Sequence, residues 1–403
     1  MDSIELMDKL NDIIPAYQPI VSAVTHEIAG YELFARRAEG NRLMSLDSFF
    51  EDKEVPAEYK LEVNQHVLTQ ALPQLFHQPS LFLMIHWTAE EWLIDDGEPL
   101  LECLNAFGEA GFPLQRVIVQ IKEHDLDIYY DQLYHLLLYY KSCGIQIAID
   151  QLGARTANLD RIRQLEPNVL KMNTRIIGSY DSKGYDDIIY SFEQLADRIG
   201  AALLFDNIED DFLHYYAWKH GGRYYQGFYL SDIHSGNLNS STIDVDISQK
   251  TASFVKRQKQ LVETRLNWIV DWEKQLMELV EDGWQLNEVN PFLEKVGEVF
   301  HNESFRIYIC DSNGEQISAN YHKRANQWHF ESDYIGANWA FRPYYLTNMM
   351  HMRLWNRAML SEIYADIETR ERIRTLSFPL SKDYFIFIDI AYRFIYKNDC
   401  FLI

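Results

Sequence analysis

Seven polar side chains stand where strand-like apolar runs of this sequence stop. The clearest is Asp150: the run 145–149 reads Ile-Gln-Ile-Ala-Ile and is closed by Asp150, Gln151, Leu152 and Gly153. An apolar run this short, bounded by turn residues and flanked by helical patterns, reads as a buried parallel strand. A carboxylate at the carboxyl end of such a strand is held rigidly while the loop beyond it is free to vary, which is how barrel enzymes place their chemistry. The same residue also fits as the cap of the next helix. Glu32, His86, Gln120, Lys171, Asp206 and Gln226 fall at or just past the ends of six other runs. One polar residue at a strand end is commonly a cap, but seven converging on one face describe a polar site.

The elements that must carry these residues alternate. Runs at 17–23 and 27–34 read as a hairpin, followed by a helix at 59–76, a strand at 81–85, a helix at 91–107, a strand at 116–121 and a helix at 126–142. After the 145–149 strand come a helix at 156–164, a strand at 169–172, a helix at 185–199, a strand at 201–205, a helix at 208–219 and a strand at 223–230. That many βα units in series favour an α/β fold closed into a TIM barrel. An open doubly wound sheet needs a Gly-rich phosphate loop after an early strand, and neither Gly-x-Gly-x-x-Gly nor Gly-x-x-x-x-Gly-Lys occurs.

With 403 residues the chain outgrows one core, and it divides into a barrel over 1–243, a helical linker over 244–300 and a smaller domain over 301–403. The formal charge of −23 argues against duplex DNA, whose binding rests on lysine and arginine, so a phosphorylated ligand needs a local cation or metal. Cys103, Cys143, Cys310 and Cys400 are scattered, with no Cys-x-x-Cys pair, which suits a reducing cytoplasm. The start of the chain has no signal-peptide pattern and no stretch of about 18 apolar residues occurs, so a cytoplasmic protein without membrane contact is expected.

From 243 to 282 charge and an apolar stripe alternate without Pro or Gly, which predicts one long helix. Its stripe must be covered by the barrel or by a second copy, and a homodimer is expected. Runs at 305–310, 315–320, 328–330, 373–380 and 384–390 read as strands, the first two joined by a turn at 311–314, with a helix at 344–359. This antiparallel α+β plan resembles PAS and Cache sensor domains. In Trp339-Ala340-Phe341-Arg342-Pro343-Tyr344-Tyr345, Arg342 beside Tyr344 fits either a clamp for a small carboxylate or a surface arginine over packed rings. Asp389 sits where the resemblance places a ligand-facing aspartate.

The barrel segment resembles the EAL family, whose active members hydrolyse cyclic di-GMP. The resemblance rests on Tyr17-Gln18-Pro19-Ile20-Val21, Gly30-Tyr31-Glu32-Leu33-Phe34-Ala35-Arg36, Asp150-Gln151-Leu152-Gly153, Leu170-Lys171-Met172-Asn173 and Gln226-Gly227-Phe228. The whole chain is similar to a Gram-positive subgroup that joins an EAL barrel, through a helix, to a PAS-like domain. Family chemistry uses two divalent ions about 4 Å apart to activate water and stabilise charge on the phosphodiester. The resemblance implies metal positions at Glu32, His86, Gln120, Asp150 and Gln151, catalytic positions at Lys171, Asp206 and Glu209, and nucleotide contacts from Leu33, Arg36 and Gln226, the last reading a guanine edge.

The sequence departs from the pattern of the family it resembles. His86 replaces an asparagine, Gln120 the first acid of a Glu-Ile-Thr-Glu-like stretch, Gln151 the second of two aspartates, and Asp206 a glutamate. An amide offers a carbonyl oxygen but no charge for a hard cation. No cofactor is therefore expected, or magnesium or manganese if a metal is kept. Three readings follow from the resemblance. One is a signalling pseudoenzyme that receives cyclic di-GMP or a protein partner and is coupled to a small-molecule sensor. The others are a residual metal-dependent phosphodiesterase and a scaffold that binds no nucleotide.

Overall fold

The computed structural model describes residues 3–39, 42–153, 158–176, 183–236, 238, 242–342 and 345–402. It separates into two compact units, Met1–Ala252 and Ser253–Ile403.

Eight strands close the first unit into a barrel: β1 (Ile13–Ser22), β2 (Ile28–Glu39), β3 (Phe82–His86), β4 (Val117–Lys122), β5 (Gln146–Leu152), β6 (Val169–Asn173), β7 (Ala202–Asp206) and β8 (Tyr224–Tyr225). From β2 to β8 neighbouring strands are parallel, and β1 closes the ring antiparallel to both β2 and β8. The expected hairpin is therefore the point of closure. Helices such as Ala57–Phe76 and Lys183–Ile199 connect the strands.

Several boundaries differ from expectation for local reasons. The helix expected over 91–107 breaks into Ala89–Trp92 and Glu98–Glu109, because Asp95, Asp96 and Gly97 take φ of 45, 50 and 78°, left-handed values that Asp and Gly tolerate best. The one expected over 126–142 breaks at Tyr129, whose φ of −107° and ψ of 23° are not helical. β2 runs on to Glu39, so Arg36 lies within it and pairs with Asp47 at 3.2 Å; no helical turn joins it to Glu32. β8 is only two residues long, and Gln226 follows it.

Strand alternation layers the barrel interior. Ile20, Met84, Ile118, Ala148, Val169 and Leu204 form an apolar layer with Phe82 and Tyr224. Two residues further along β3 to β7, and so on the same inward face, stand His86, Gln120, Asp150, Lys171 and Asp206. Because β1 runs the other way, its polar residue Gln18 precedes Ile20. Gly30 stands two before Glu32, and a Cβ there would lie 2.5 Å from the Phe82 ring. The absent side chain gives Phe82 its place in the floor on which the polar layer rests.

The second unit holds a seven-stranded antiparallel sheet. Along it lie β11 (Gln327–Glu331), β10 (Asn320–Arg324), β9 (Ser304–Asp311), β13 (Tyr384–Ile390) and β12 (Arg372–Pro379), with Met359–Leu360 at one edge and Tyr364–Ala365 also paired to β12. The hairpin expected between 305–310 and 315–320 is reduced to one bridge, Cys310 to Gln316. Ser318 is the reason: its hydroxyl accepts the Ile309 N–H at 2.8 Å, so the ladder to β9 is made by Asn320–Arg324 instead. The long helix, Ile247–Glu281, has 35 residues, about 52 Å at 1.5 Å each. Its Trp272 and Leu276 join Phe292, Leu293, Val296 and Phe300 in the core of this unit, so residues of the segment 244–300 are buried there.

Gly30→Ala is expected to destabilise the barrel by about 1–3 kcal/mol, the usual range for overpacking. Combining it with Phe82→Leu should recover part of the loss, and chemical denaturation of the four proteins of this cycle measures both effects; simple additivity would place the strain elsewhere.

Candidate functional site

Glu32 is the hub of the polar layer. Lys171 Nζ lies 2.9 and 2.8 Å from its two oxygens, Gln226 Nε2 donates to Oε2 at 2.5 Å, and Gln120 Nε2 donates to Oε1. Gln18 Oε1 accepts from Gln226 at 3.1 Å, and Lys171 also reaches Gln120 Oε1 at 3.4 Å and Asp206 Oδ2 at 3.3 Å. Burial raises the Glu32 pKa, but the Lys171 charge and the three donors outweigh it and hold the group below its ordinary value. Burial likewise opposes the Lys171 charge, and Asp150, Asp206 and Glu32 outweigh it, keeping the lysine protonated.

The outer carboxylates are tied down differently. Gln151 and Asn207, immediately after Asp150 and Asp206, take left-handed φ of 61 and 58°. In each turn the following N–H donates back to the acid, at 2.7 Å for Asp150 and 2.6 Å for Asp206. Burial pushes both carboxyl groups up, Asp206 to about 6. Burial, with Lys122 next, pushes the His86 imidazole down to about 4, so it is neutral at pH 7.

These groups open into a cavity of about 370 Å³. Of the residues expected in the site, it is lined by Glu32, Leu33, Arg36, His86, Gln120, Asp150, Gln151, Lys171 and Asp206. Gln226 and Glu209 are not in the lining. Expected to read a base, Gln226 is instead 0% exposed beneath the cavity, because it follows Tyr224 by two and so faces the barrel interior, where Glu32 and Gln18 take its donors. Glu209 lies outside and pairs with Arg175 at 3.3 Å.

Lys122, Gln18 and Phe228 were not singled out in the sequence. Lys122 follows Gln120 by two on β4, faces the mouth and stands in register with Asp150 on β5. Its spacing from Gln120 was the available signal. Among the described residues its ammonium has neither an ion pair nor a hydrogen bond. Phe228 lines the cavity with 51% of its surface exposed, an open aromatic face beside the cations.

In the second unit the expected ligand residues part company. Asp389 is 0% exposed, with Arg306 Nε at 2.7 Å on one oxygen and Thr375 Oγ1 at 2.7 Å on the other, so it is a buried anchor and does not face a ligand. Arg342 lines a separate cavity, and Tyr344 lies outside the described residues.

The donor set does not fit two divalent ions. The family pattern carries five carboxylates and one lysine, a net −4 that two such ions neutralise; here Glu32, Asp150 and Asp206 face Lys171 and Lys122, a net −1. Glu32, the innermost acid, already holds an ammonium on both oxygens. Among the described residues no group of three or more His, Cys, Asp or Glu side chains is arranged to hold a metal.

Comparison with known proteins extends over the whole chain. Residues 3–232 match the EAL domain and residues 238–402 the EAL-domain associated signalling protein domain. The chain is 35% identical over 403 residues to the uncharacterised EAL-domain containing protein YkuI of Bacillus subtilis, covering 99% of each. The crystal structure of that protein, in complex with substrate cyclic di-GMP and calcium, superposes with a TM-score of 0.92 over 100% of both chains. The EAL domain of FimX from Pseudomonas aeruginosa, bound to cyclic di-GMP, is 19% identical with a TM-score of 0.51 over 59% of this chain and 98% of that one, a likeness of fold. An eight-stranded barrel closed by an antiparallel first strand and followed by a second, antiparallel sheet is thus shared in sequence and in shape: the chain belongs to the EAL-domain family, in the form that carries an EAL-associated signalling domain.

Proposed function

We propose that this protein is a receptor for cyclic di-GMP that does not hydrolyse it, acting in signalling together with its second unit. The observation that carries this reading is the exchange of charge inside the cavity: amides at 120 and 151 where the family has acids, and the Lys122 ammonium in the same mouth. Hydrolysis in the family needs two metals, and this donor set lacks the charge to assemble them. Binding has a weaker requirement. Each phosphodiester of the ligand is a monoanion, and Arg36, Lys122 and Arg175 all line the cavity. Among the described residues Arg36 has only the well-exposed Asp47 as an ionic partner, an ion pair that is readily exchanged. The open face of Phe228 offers a base a stacking surface. Cyclic di-GMP in the structures of YkuI and FimX supports the choice of ligand. A second copy of the chain and a downstream protein complete the proposal as partners.

Purified protein should show no cyclic di-GMP hydrolysis above buffer with magnesium or manganese. The combined variant Gln120→Glu, Gln151→Asp, His86→Asn and Lys122→Thr should gain measurable turnover; robust turnover by the parent would sink the receptor reading.

Calorimetry in a chelator should detect binding of the nucleotide, and Lys122→Met or Arg36→Ala should weaken it by about 1–3 kcal/mol, the range of a charge-assisted bond. Absence of binding in chelator, restored by added magnesium, would return the site to a metal-dependent one.

Affinity should also rise as pH falls from 7.5 to 5.5. Asp206 titrates near 6, so it is charged at the upper end and protonated at the lower, which removes one negative charge facing the phosphates. An affinity that stays flat over this range, or that still rises in Asp206→Asn, would assign the dependence to another group.

A further inference from the structure

The second unit holds a cavity of about 130 Å³, room for about four waters at roughly 30 Å³ each. Arg306, Asn320, Trp339, Arg342, Tyr364 and Asp366 are among its walls, with Tyr334 and Glu368. Two of these residues bring hydrogen-bond donors for which no acceptor is found among the described residues.

Arg342 is the first. Its guanidinium lies over the rings of Trp339, Phe341 and Tyr364, at 5.7, 5.7 and 5.1 Å from their centroids. Among the described residues it has no carboxylate partner and its side chain makes no hydrogen bond. The other arginine of the lining, Arg306, is fully engaged: Nε with Asp389 at 2.7 Å, Nη1 with Glu368 at 3.2 Å and Nη2 with Asp366. Each of its nitrogens already faces a carboxylate, and three acids offset its one charge.

Asn320 is the second, and a relay of hydrogen bonds fixes which way its amide points. The Trp339 indole N–H can only donate, and it donates to Gln316 Oε1 at 2.9 Å. That leaves Gln316 Nε2 to donate to Asn320 Oδ1, also at 2.9 Å. The Asn320 Nδ2 group is therefore the end turned away from Gln316, and no described residue accepts from it although Asn320 is only 3% exposed. Asn320 lines the cavity, so a ligand oxygen placed there would meet this unused donor.

We propose that this cavity binds a small monocarboxylate, its oxygens taken by Arg342 and the Asn320 amide and its short body packed on Trp339 and Tyr364. The volume admits molecules of the size of acetate, propionate or lactate. A second negative charge is disfavoured, because Asp366 and Glu368 lie in the same wall. The inference stands apart from the nucleotide reading of the barrel, since every residue it uses belongs to the second unit.

The test is calorimetry and thermal unfolding of the full chain with acetate, propionate and lactate, with propionamide as the uncharged match to propionate and succinate as the dianion. At least one monocarboxylate should bind and raise the unfolding midpoint, with propionamide and succinate weaker by about tenfold or more. Arg342→Gln, at a half-buried position, and Asn320→Asp, which puts an acceptor in place of the donor, should each lower affinity by about tenfold or more. Should Asn320→Asp fail to fold, Arg342→Gln carries the test alone. No binding by any monocarboxylate at about 10 mM, equal binding of propionamide, or undiminished binding by folded variants would overturn the proposal.

Discussion

The barrel depends on one buried ion pair, Lys171 with Glu32. Taking a carboxylate and an ammonium out of water is unfavourable by several kcal/mol each, and their attraction offsets this only when the geometry is good and the remaining lone pairs are used. Both conditions hold: the ammonium reaches both Glu32 oxygens, and two amides complete the carboxylate's shell. Removing Lys171 would leave the Glu32 carboxylate with only the two amides, whereas Lys171 without Glu32 would keep Asp206 at 3.3 Å. The same completeness decides what Glu32 can do, because a metal could take its oxygens only by displacing the ammonium and both amides. Gln120 and Gln226 can stay neutral donors to Glu32 at any ordinary pH, whereas an acid at 120 would meet Glu32 as a like charge.

The placement of this pair follows from strand geometry. Side chains alternate with a period of two, so an apolar floor at Met84, Ile118, Ala148, Val169 and Leu204 sets a polar layer two residues on in five parallel strands. The reversed β1 supplies Gln18 from the opposite direction. At the rim, left-handed turns at Gln151 and Asn207 bend the chain away just after each acid and bind one of its oxygens to the backbone. Gly227 has a related role: at φ 150°, a Cβ there would lie 2.2 Å from the Ile208 carbonyl, and only glycine lets the chain pass close beside that segment after Gln226.

Much of this was legible in the sequence because it rests on local pattern. Short apolar runs ending in polar residues located seven interior groups, and alternation with helical segments pointed to closure. What escaped depended on register or on a tertiary partner. Gln226 looked like a mouth residue because the run 223–230 read as one strand, yet only 224 and 225 pair and the side chain falls beneath the cavity. Lys122 sits inside a family-like motif that carries no mark of its role, although its spacing from Gln120 puts it on the inward face. Asp389 carried the right residue type at a strand end, and no sequence pattern announces that Arg306 and Thr375 occupy both its oxygens. The Ser318 hydroxyl that replaces a ladder acceptor for Ile309 is equally silent in the sequence.

The two units handle charge in the same way. In each, a buried acid that pattern alone would make functional is consumed by a basic partner: Glu32 by Lys171, and Asp389 by Arg306. Each also leaves one cation at an opening without an ionic partner among the described residues, Lys122 in the barrel and Arg342 in the sheet. In a chain of net charge −23 the mean field repels anions, so an anion is held only where local positive charge is free of a competing carboxylate. Neutralising the inner acids therefore does more than stabilise the cores: it keeps the outward cations from being spent on the protein's own carboxylates. The receptor reading proposed above rests on this arrangement, with amides at positions 120 and 151 and the Lys122 ammonium at the same opening.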